Sequence, residues 1–411
     1  MQNAAAKEKI IAVIEADDAI AFTRDLVRIP SIFPREAECA ALLADQYRAC
    51  GLDVVLQEVE PGRPNVIGTL AGHGESPRLL IEGHTDVVAL GDEAKWTVDP
   101  WGGEIIDGRL YGRGASDMKS GLAAAAIAAR AIVRAGIKLN GTLQLAGFID
   151  EENMMSGVRH FVREGGAKGL GAAITTEPTF GLGIGTCFCG RTRADITFLG
   201  QPGHAGIPPG STVGKNAVHM AWRLIKAVNE TVPPHQPHNL YGPSHWQVVS
   251  ITGGDLNEAT IPETCTVRID ARPVPGHDAA SIWRYVDDLL AEFRRDDPSI
   301  ETRVRLVEDY GTSSWSTDPE ADIVRATQAA YRAVVNRDSP LNRVTQIPPG
   351  SGHTLKVSTD VHHIAALGIP CLNIGAGGAN AHMADEYVDV EDIPLLAKIL
   401  ALTAIDYLGV V

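Results

Sequence analysis

Cysteine is scarce in this chain, six in 411 residues, at positions 39, 50, 187, 189, 265 and 371. So few, so scattered, exclude a disulfide framework in a chain of this length. Cys187 and Cys189 stand one residue apart with no second pair following, which is not zinc-ribbon spacing. They read as buried thiols in a reducing cytoplasm. Basic residues are also in deficit, 36 Lys and Arg against 51 Asp and Glu, a net charge of −15. Such a surface repels nucleic-acid phosphate and anionic membrane, so neither is expected as a partner. Apolar runs of about 18 residues are missing. The Ala-rich stretch Gly121 to Val133 is broken by Arg130 and followed by Arg134, which suits a packed helix. Residues 1–18 alternate charged and apolar positions without the apolar core of a signal peptide, so the expected location is cytoplasmic. Internal repeats and low-complexity segments are absent as well.

What remains is an ordinary globular composition, 45% hydrophobic and 21% charged, at a length that favours two domains. Apolar positions at helical spacing run from 7 to 28 and from 36 to 50. Strands are expected at 53–59, 65–70 and 78–82, then at 141–149, 172–176 and 371–374. Helices alternating with strands make an α/β domain. From 193 to 307 the order becomes strand, helix, two strands, helix, strand, that of a split βαβ (ferredoxin-like) unit. The expected organisation is therefore a mixed-sheet catalytic domain flanked by helices, 1–187 and 313–411. An α+β lid or dimerisation domain, 188–312, is inserted into it.

The apolar run Leu79 to Glu82 leads into Gly83, His84, Thr85 and Asp86. Residues i and i+2 of extended backbone point to one side, so His84 and Asp86 suit a metal-binding imidazole backed by a carboxylate. Read alone, the pair equally suits a histidine held at a strand end for stability. Asp117 follows the bend-permitting Gly112 and Gly114 and precedes a long helix, which makes it a ligand or a simple cap. Asp150, Glu151 and Glu152 end one strand, and Glu177 ends another. Acidic groups thus recur at the carboxyl ends of strands, where open α/β sheets place their ligands. His382 lies in a glycine loop after the last strand.

Two imidazoles and three carboxylates, His84, Asp117, Glu152, Glu177 and His382, suit zinc or another borderline divalent ion rather than calcium. Five ligands fit two metals if one carboxylate bridges. Two divalent ions (+4) then balance three carboxylates and one hydroxide. Glu151 is left over beside a ligand, placed to take a proton from water and return it to a leaving amine.

These motifs resemble the M20 metallopeptidases, the group of acetylornithine deacetylase, succinyl-diaminopimelate desuccinylase, glutamate carboxypeptidase and aminoacylase. The resemblance rests on Gly83-His-Thr-Asp-Val-Val88, Gly112-Arg-Gly-Ala-Ser-Asp-Met-Lys119, Asp150-Glu-Glu152, Glu177-Pro-Thr179, Gly203-His-Ala205 and Asn380-Ala-His-Met-Ala-Asp-Glu-Tyr-Val388. It implies two Zn2+ ions, with Co2+ or Mn2+ as substitutes, one on His84, Asp117 and Glu177 and the other on Asp117, Glu152 and His382. It makes Glu151 the general base and Asp86 the partner that orients His84. It also implies a homodimer through the inserted domain, with His204 reaching the partner's site to steady the oxyanion, and Arg272 gripping a substrate carboxylate. Two departures fall near the expected substrate contacts. Ala259 stands before Thr260-Ile-Pro262, where relatives carry Asn, leaving Asn257 as the nearest candidate; Ser358-Thr-Asp360 replaces the usual Gly-Thr-Asp, which makes Ser358 and Thr359 candidates too. The expected reaction is hydrolysis of a small-molecule amide carrying a carboxylate, an N-acyl amino acid or small peptide. A dipeptidase, a hydrolase of a non-amino-acid amide, and a non-catalytic binding protein on the same fold are the alternatives. Residues 233–246, rich in rings, are left without a role.

Overall fold

The computed structural model describes every residue except Met1, 75–76, 180, 210, 212, 256–257 and 343–355. Its chain forms two compact units, one of residues 2–187, 316–342 and 359–411, the other of 188–315 with Lys356, Val357 and Ser358.

The first unit is built on a six-stranded sheet in the order Asp53–Glu60, Arg63–Leu70, Thr142–Phe148, Arg78–His84, Leu170–Thr175, Cys371–Asn373. The last four run parallel, and Arg63–Leu70 lies antiparallel between them and Asp53–Glu60, so the sheet is mixed. Alternation along these strands sorts their two faces. Leu79, Ile81, Ala172, Ile174, Leu372 and Ile374 join the main core with the helices Ser120–Arg134 and Asp392–Leu408. Ala123 to Ala126, Ala128 and Ala129 are all buried, and such small side chains let the first of these helices lie close to its neighbours. Leu80, Glu82, Ala173, Thr175, Cys371 and Asn373 face the other way. The short helix Val361–Ala365 packs against the strands Leu170–Thr175 and Cys371–Asn373.

Two local expectations change. The helix expected over 7–28 is two helices, Gln2–Val13 and Ala16–Val27, because Glu15 is extended between them and Asp17 and Asp18 open the second with acidic charge at its positive end. A second, four-stranded antiparallel sheet, in the order Gly378–Ala379, Tyr387–Asp389, Arg109–Tyr111, Glu104–Ile106, is made of strands too short to show periodicity in the sequence. It pairs Tyr387 with Tyr111 and so brings the segment after 111 beside the segment before 387.

The second unit is a four-stranded antiparallel sheet, ordered His245–Gly253, Thr264–Arg272, Thr192–Leu199, Glu301–Leu306. The helices Ala217–Glu230 and Ala279–Asp296 share its core with Ile196, Phe198, Val267 and Ile269. Asn216 and Asp278 cap them, each side chain accepting backbone N–H bonds from the first turn.

Candidate metal centre

Parallel strand ends and the small sheet converge on one cluster in the first unit. His84 closes its strand 1% exposed. Gly83 precedes it, and a Cβ there would stand 2.5 Å from Met118 Cε, so a larger residue would have to push that side chain aside. The His84 Nε2 atom lies 3.2 Å from Asp117 Oδ1 and 3.8 Å from Glu177 Oε1. On the far side, His382 Nε2 lies 3.3 Å from Asp117 Oδ2 and 3.0 Å from Glu152 Oε1. Asp117 thus turns one oxygen to each imidazole, as a carboxylate bridging two ions must. Donor atoms of His84, Asp117 and Glu152 lie within 4.8 Å of one another, and so do those of His84, Glu151 and Glu177. All six acidic and imidazole groups expected at the centre are therefore brought together.

Charge crowding shows in the protonation equilibria. Burial opposes the charge on Asp117, but hydrogen bonds from His382 and His84 overcome it and hold the carboxyl far below its usual range. Hydrogen bonds to Asp117 and Glu152 push His382 up to about 10. Burial works against charging His84, yet Asp117 and Glu177 raise it well above an ordinary imidazole. Burial and the Asp117 charge push Glu177 up as well. A cluster of this kind needs cations between its carboxylates, and without metal it takes protons. Two imidazole nitrogens among carboxylate oxygens fit a borderline divalent ion, zinc before calcium.

Asp86 differs from expectation. His84 Nδ1 donates to the backbone carbonyl of Asp86 at 2.9 Å, while the carboxylate stands 3.7 Å away. The carboxylate instead accepts the N–H of Glu151 at 3.1 Å and of Glu152 at 3.0 Å. Fully buried, with burial lifting its pKa to about 6, Asp86 places Glu151 and Glu152 more than it places His84. The chain bends at Thr85, outside the strand, so the same-side rule does not carry to Asp86.

Glu386 is a member the sequence reading missed. Its buried carboxylate accepts the N–H groups of Gly114, Ser116 and Asp117 and pairs with buried Arg113 at 2.5 Å. It shapes the turn that presents Asp117. Its signal was an acidic residue within the His382 motif together with an arginine between two glycines of the Asp117 motif. Gly375 has a comparable duty at Glu177, whose carbonyl oxygen would lie 2.2 Å from a Cβ at that position.

Other candidates lie elsewhere. His204 is exposed in the second unit, and its Nδ1 accepts the Gly206 N–H, which puts the proton of the neutral ring on Nε2. Arg272, also in that unit, donates from Nε to Asp270 Oδ1 at 2.7 Å and from Nη2 to the Tyr310 hydroxyl at 3.3 Å. Ser358 shares a 2.6 Å hydrogen bond with Thr312. Thr359 is buried in the first unit with its N–H on His362. Asn257 lies outside the described residues. In the 233–246 loop, His235 stacks on His277 at 4.1 Å, and Ser244 hydrogen-bonds the same His277 ring, so part of the loop packs internally.

A strand-end cluster with one bridging carboxylate and a spare glutamate marks a metal-dependent hydrolase. The chain belongs to peptidase family M20/M25/M40, whose model matches residues 80–406. It is 32% identical over 403 residues to the succinyl-diaminopimelate desuccinylase of Rhodospirillum centenum, covering 95% of this chain and 96% of that one. The fold is shared with aminopeptidase PepT of Bacillus cereus, TM-score 0.73 at 18% identity over 96% of this chain and 99% of that one. It is shared too with Bacillus subtilis YXEP, described as a dinuclear metal-binding peptidase, TM-score 0.68 at 16% identity over 96% and 98% of the two chains. The protein is accordingly a hydrolase of amide bonds.

Proposed function

We propose that the protein removes the acyl group from an N-acylated amino acid of the succinyl type, with two zinc ions, for which Co2+ or Mn2+ substitute. The observation that carries this reading is Asp117, one oxygen at each imidazole, beside a buried Glu151. His84, Asp117 and Glu177 would hold one ion, and Asp117, Glu152 and His382 the other. Such ions acidify a water and polarise the amide carbonyl. Glu151, anchored through its N–H to Asp86, takes the water's proton and delivers it to the departing amine. His204, supplied by a second copy, donates from Nε2 to the oxygen that gains charge. Arg272 holds the substrate carboxylate, with Ser358, Thr359 and Asn257 as further candidates for substrate contact.

The acyl preference rests on the desuccinylase relative. A dimer through the second unit is supported by its edge strand His245–Gly253, with Val249 and Ile251 each 50% exposed, and by Trp222, 60% exposed on a helix packed against that strand. Six buried cysteines, none of them in a disulfide among the described residues, support a cytoplasmic location, and among the described residues no helix is long and apolar enough to cross a membrane.

The test is Glu151→Gln. Turnover of N-succinyl amino acids should fall by about 10²–10⁴ while two zinc ions per chain remain bound; retained turnover refutes the assignment. A panel of acyl amino acids, dipeptides and aryl amides decides the substrate. Peptidases share the fold, so faster cleavage of a dipeptide would replace the deacylase reading by a dipeptidase.

A further inference from the structure

Beneath the centre, on the sheet face away from the main core, lies a row of polar side chains that catalysis does not use. Glu82, Thr175 and Asn373 stand directly opposite one another on three adjacent parallel strands. Directly opposed residues share a face, so the three side chains form one row across the strand ends. Glu82 precedes His84 by two positions, and Thr175 precedes Glu177 by two, which sets the row one step down the strands from those ligands. Asp360 opens the helix Val361–Ala365 that packs against two of the strands, and its carboxylate does not cap that helix.

None of the four is more than 3% exposed. Six oxygens, both of Glu82, both of Asp360, Thr175 Oγ1 and Asn373 Oδ1, have no hydrogen-bond partner among the described residues. Buried polar groups nearly always have partners, and a buried carboxylate without one costs several kcal/mol. The Thr175 hydroxyl stands beside the Glu82 carboxyl, and Asp360 lies near enough to sense Glu151 and Glu82, which puts it beside the row. Buried oxygens that lack ordinary partners and lie side by side are the donors a hard cation takes up.

We propose that Glu82, Thr175, Asn373 and Asp360 form a buried site for one hard divalent cation of the calcium or magnesium class, separate from the catalytic pair. Two carboxylates match a charge of +2, which leaves the buried site neutral. The donors are oxygen alone, suiting a hard cation, while zinc prefers the imidazoles above. Such an ion clamps three strand ends to the segment that begins at Asp360, and with them the ground on which His84 and Glu177 stand. The inference does not depend on the substrate or on the general base.

The test uses the full chain loaded with two zinc ions and brought to equilibrium dialysis against 1 mM CaCl2 or MgCl2, the bound metals being counted by mass spectrometry. About one calcium or magnesium per chain beyond the two zinc ions is expected, with a rise in Tm of roughly 2 °C or more. Glu82→Gln and Asp360→Asn should each abolish the extra ion. Finding no ion beyond zinc in either salt overturns the proposal, and so does an extra ion that persists in both variants. Should the variants fail to fold, crystals of the unaltered chain soaked in MnCl2 decide it. An anomalous peak between Glu82 and Asp360 is expected, and its absence there refutes the site. The zinc count and the turnover of the same preparation test the proposed function independently.

Discussion

Replacing Asp86 separates two accounts of how the centre is held. If its carboxylate orients His84, Asp86→Ala should weaken the metal on His84 and leave the rest. Geometry says otherwise, because the acceptor for His84 Nδ1 is a backbone carbonyl, which survives any substitution. What Ala removes is the acceptor for two buried N–H groups, those of Glu151 and Glu152. Hydrogen bonds to a charged group contribute about 1.5–3 kcal/mol each, so the pair amounts to roughly 3–6 kcal/mol. The cost of burying the carboxylate, visible in its pKa near 6, offsets part of this, and a net loss of about 3 kcal/mol is expected. Asp86→Asn keeps one acceptor and should lose about half as much. A shift of about 1 Å in the backbone carrying Glu151 should lower kcat by roughly 10²-fold with zinc saturating. The assay is a double-mutant cycle with Glu151→Gln, reading kcat and zinc content. If Asp86 acts by placing Glu151, adding Asp86→Ala to Glu151→Gln changes kcat little. Losses that multiply, or a single Asp86→Ala variant within about threefold of the unaltered protein, would refute the reasoning.

Glu386→Ala should cost about 3–5 kcal/mol, because it strands buried Arg113 and three N–H donors; a Tm within 1–2 °C of the parent would contradict the role given to Glu386. Zinc uptake should release protons. The metal-free centre holds them on His382, at about 10, and on His84, raised well above its usual value, so both are charged at pH 7. Apparent zinc affinity should therefore fall as pH falls, by roughly tenfold per pH unit for each proton displaced. Calorimetry in buffers of different ionisation enthalpy measures the release, and a pH-independent affinity would be the contrary result. Val249→Lys with Ile251→Lys should turn the proposed dimer into a monomer in light scattering and lower kcat with it, since His204 is then lost from the partner's site. An unaltered protein that is active as a monomer excludes that arrangement.

How much of this was legible in sequence depended on whether a residue's role lies along the chain or across it. His84 ends a hydrophobic strand, and Glu152 and Glu177 lie four and two positions beyond theirs, so periodicity located both the strands and the ends near which these groups stand. The Asp117 and His382 motifs were legible as glycine-rich turns, but the sheet that joins them has strands of two or three residues, too short for any periodic signal. Glu386 escaped because its partners lie about 270 positions earlier, and nothing local tells a carboxylate in solvent from one buried on Arg113. Asp86 was found for a reason only half right. The i, i+2 rule holds inside a strand, and the chain leaves the strand at Thr85. Glu82 read as part of an apolar strand, and only strand register shows that it faces Thr175.

Two ions held as proposed would also act as a cross-link. The groups of the centre lie between positions 84 and 382 of the chain, yet all belong to the first unit, and the second unit has its own core. Ions that bind folded but not unfolded chain stabilise the unit that holds them, by about 4 kcal/mol when free metal exceeds Kd a thousandfold. Without metal the carboxylates of Asp117, Glu152 and Glu177 keep only protons between them, and the first backbone to loosen should be the turns that carry them. Hydrogen exchange after chelation should therefore accelerate in peptides covering 112–119, 150–156 and 380–388. The strands Thr192–Leu199 and Thr264–Arg272 of the second unit should be unchanged and serve as the internal control. Acceleration spread evenly over both units would mean that the ions do not act as a local cross-link, and would leave Asp117 without the bridging role its two oxygens suggest.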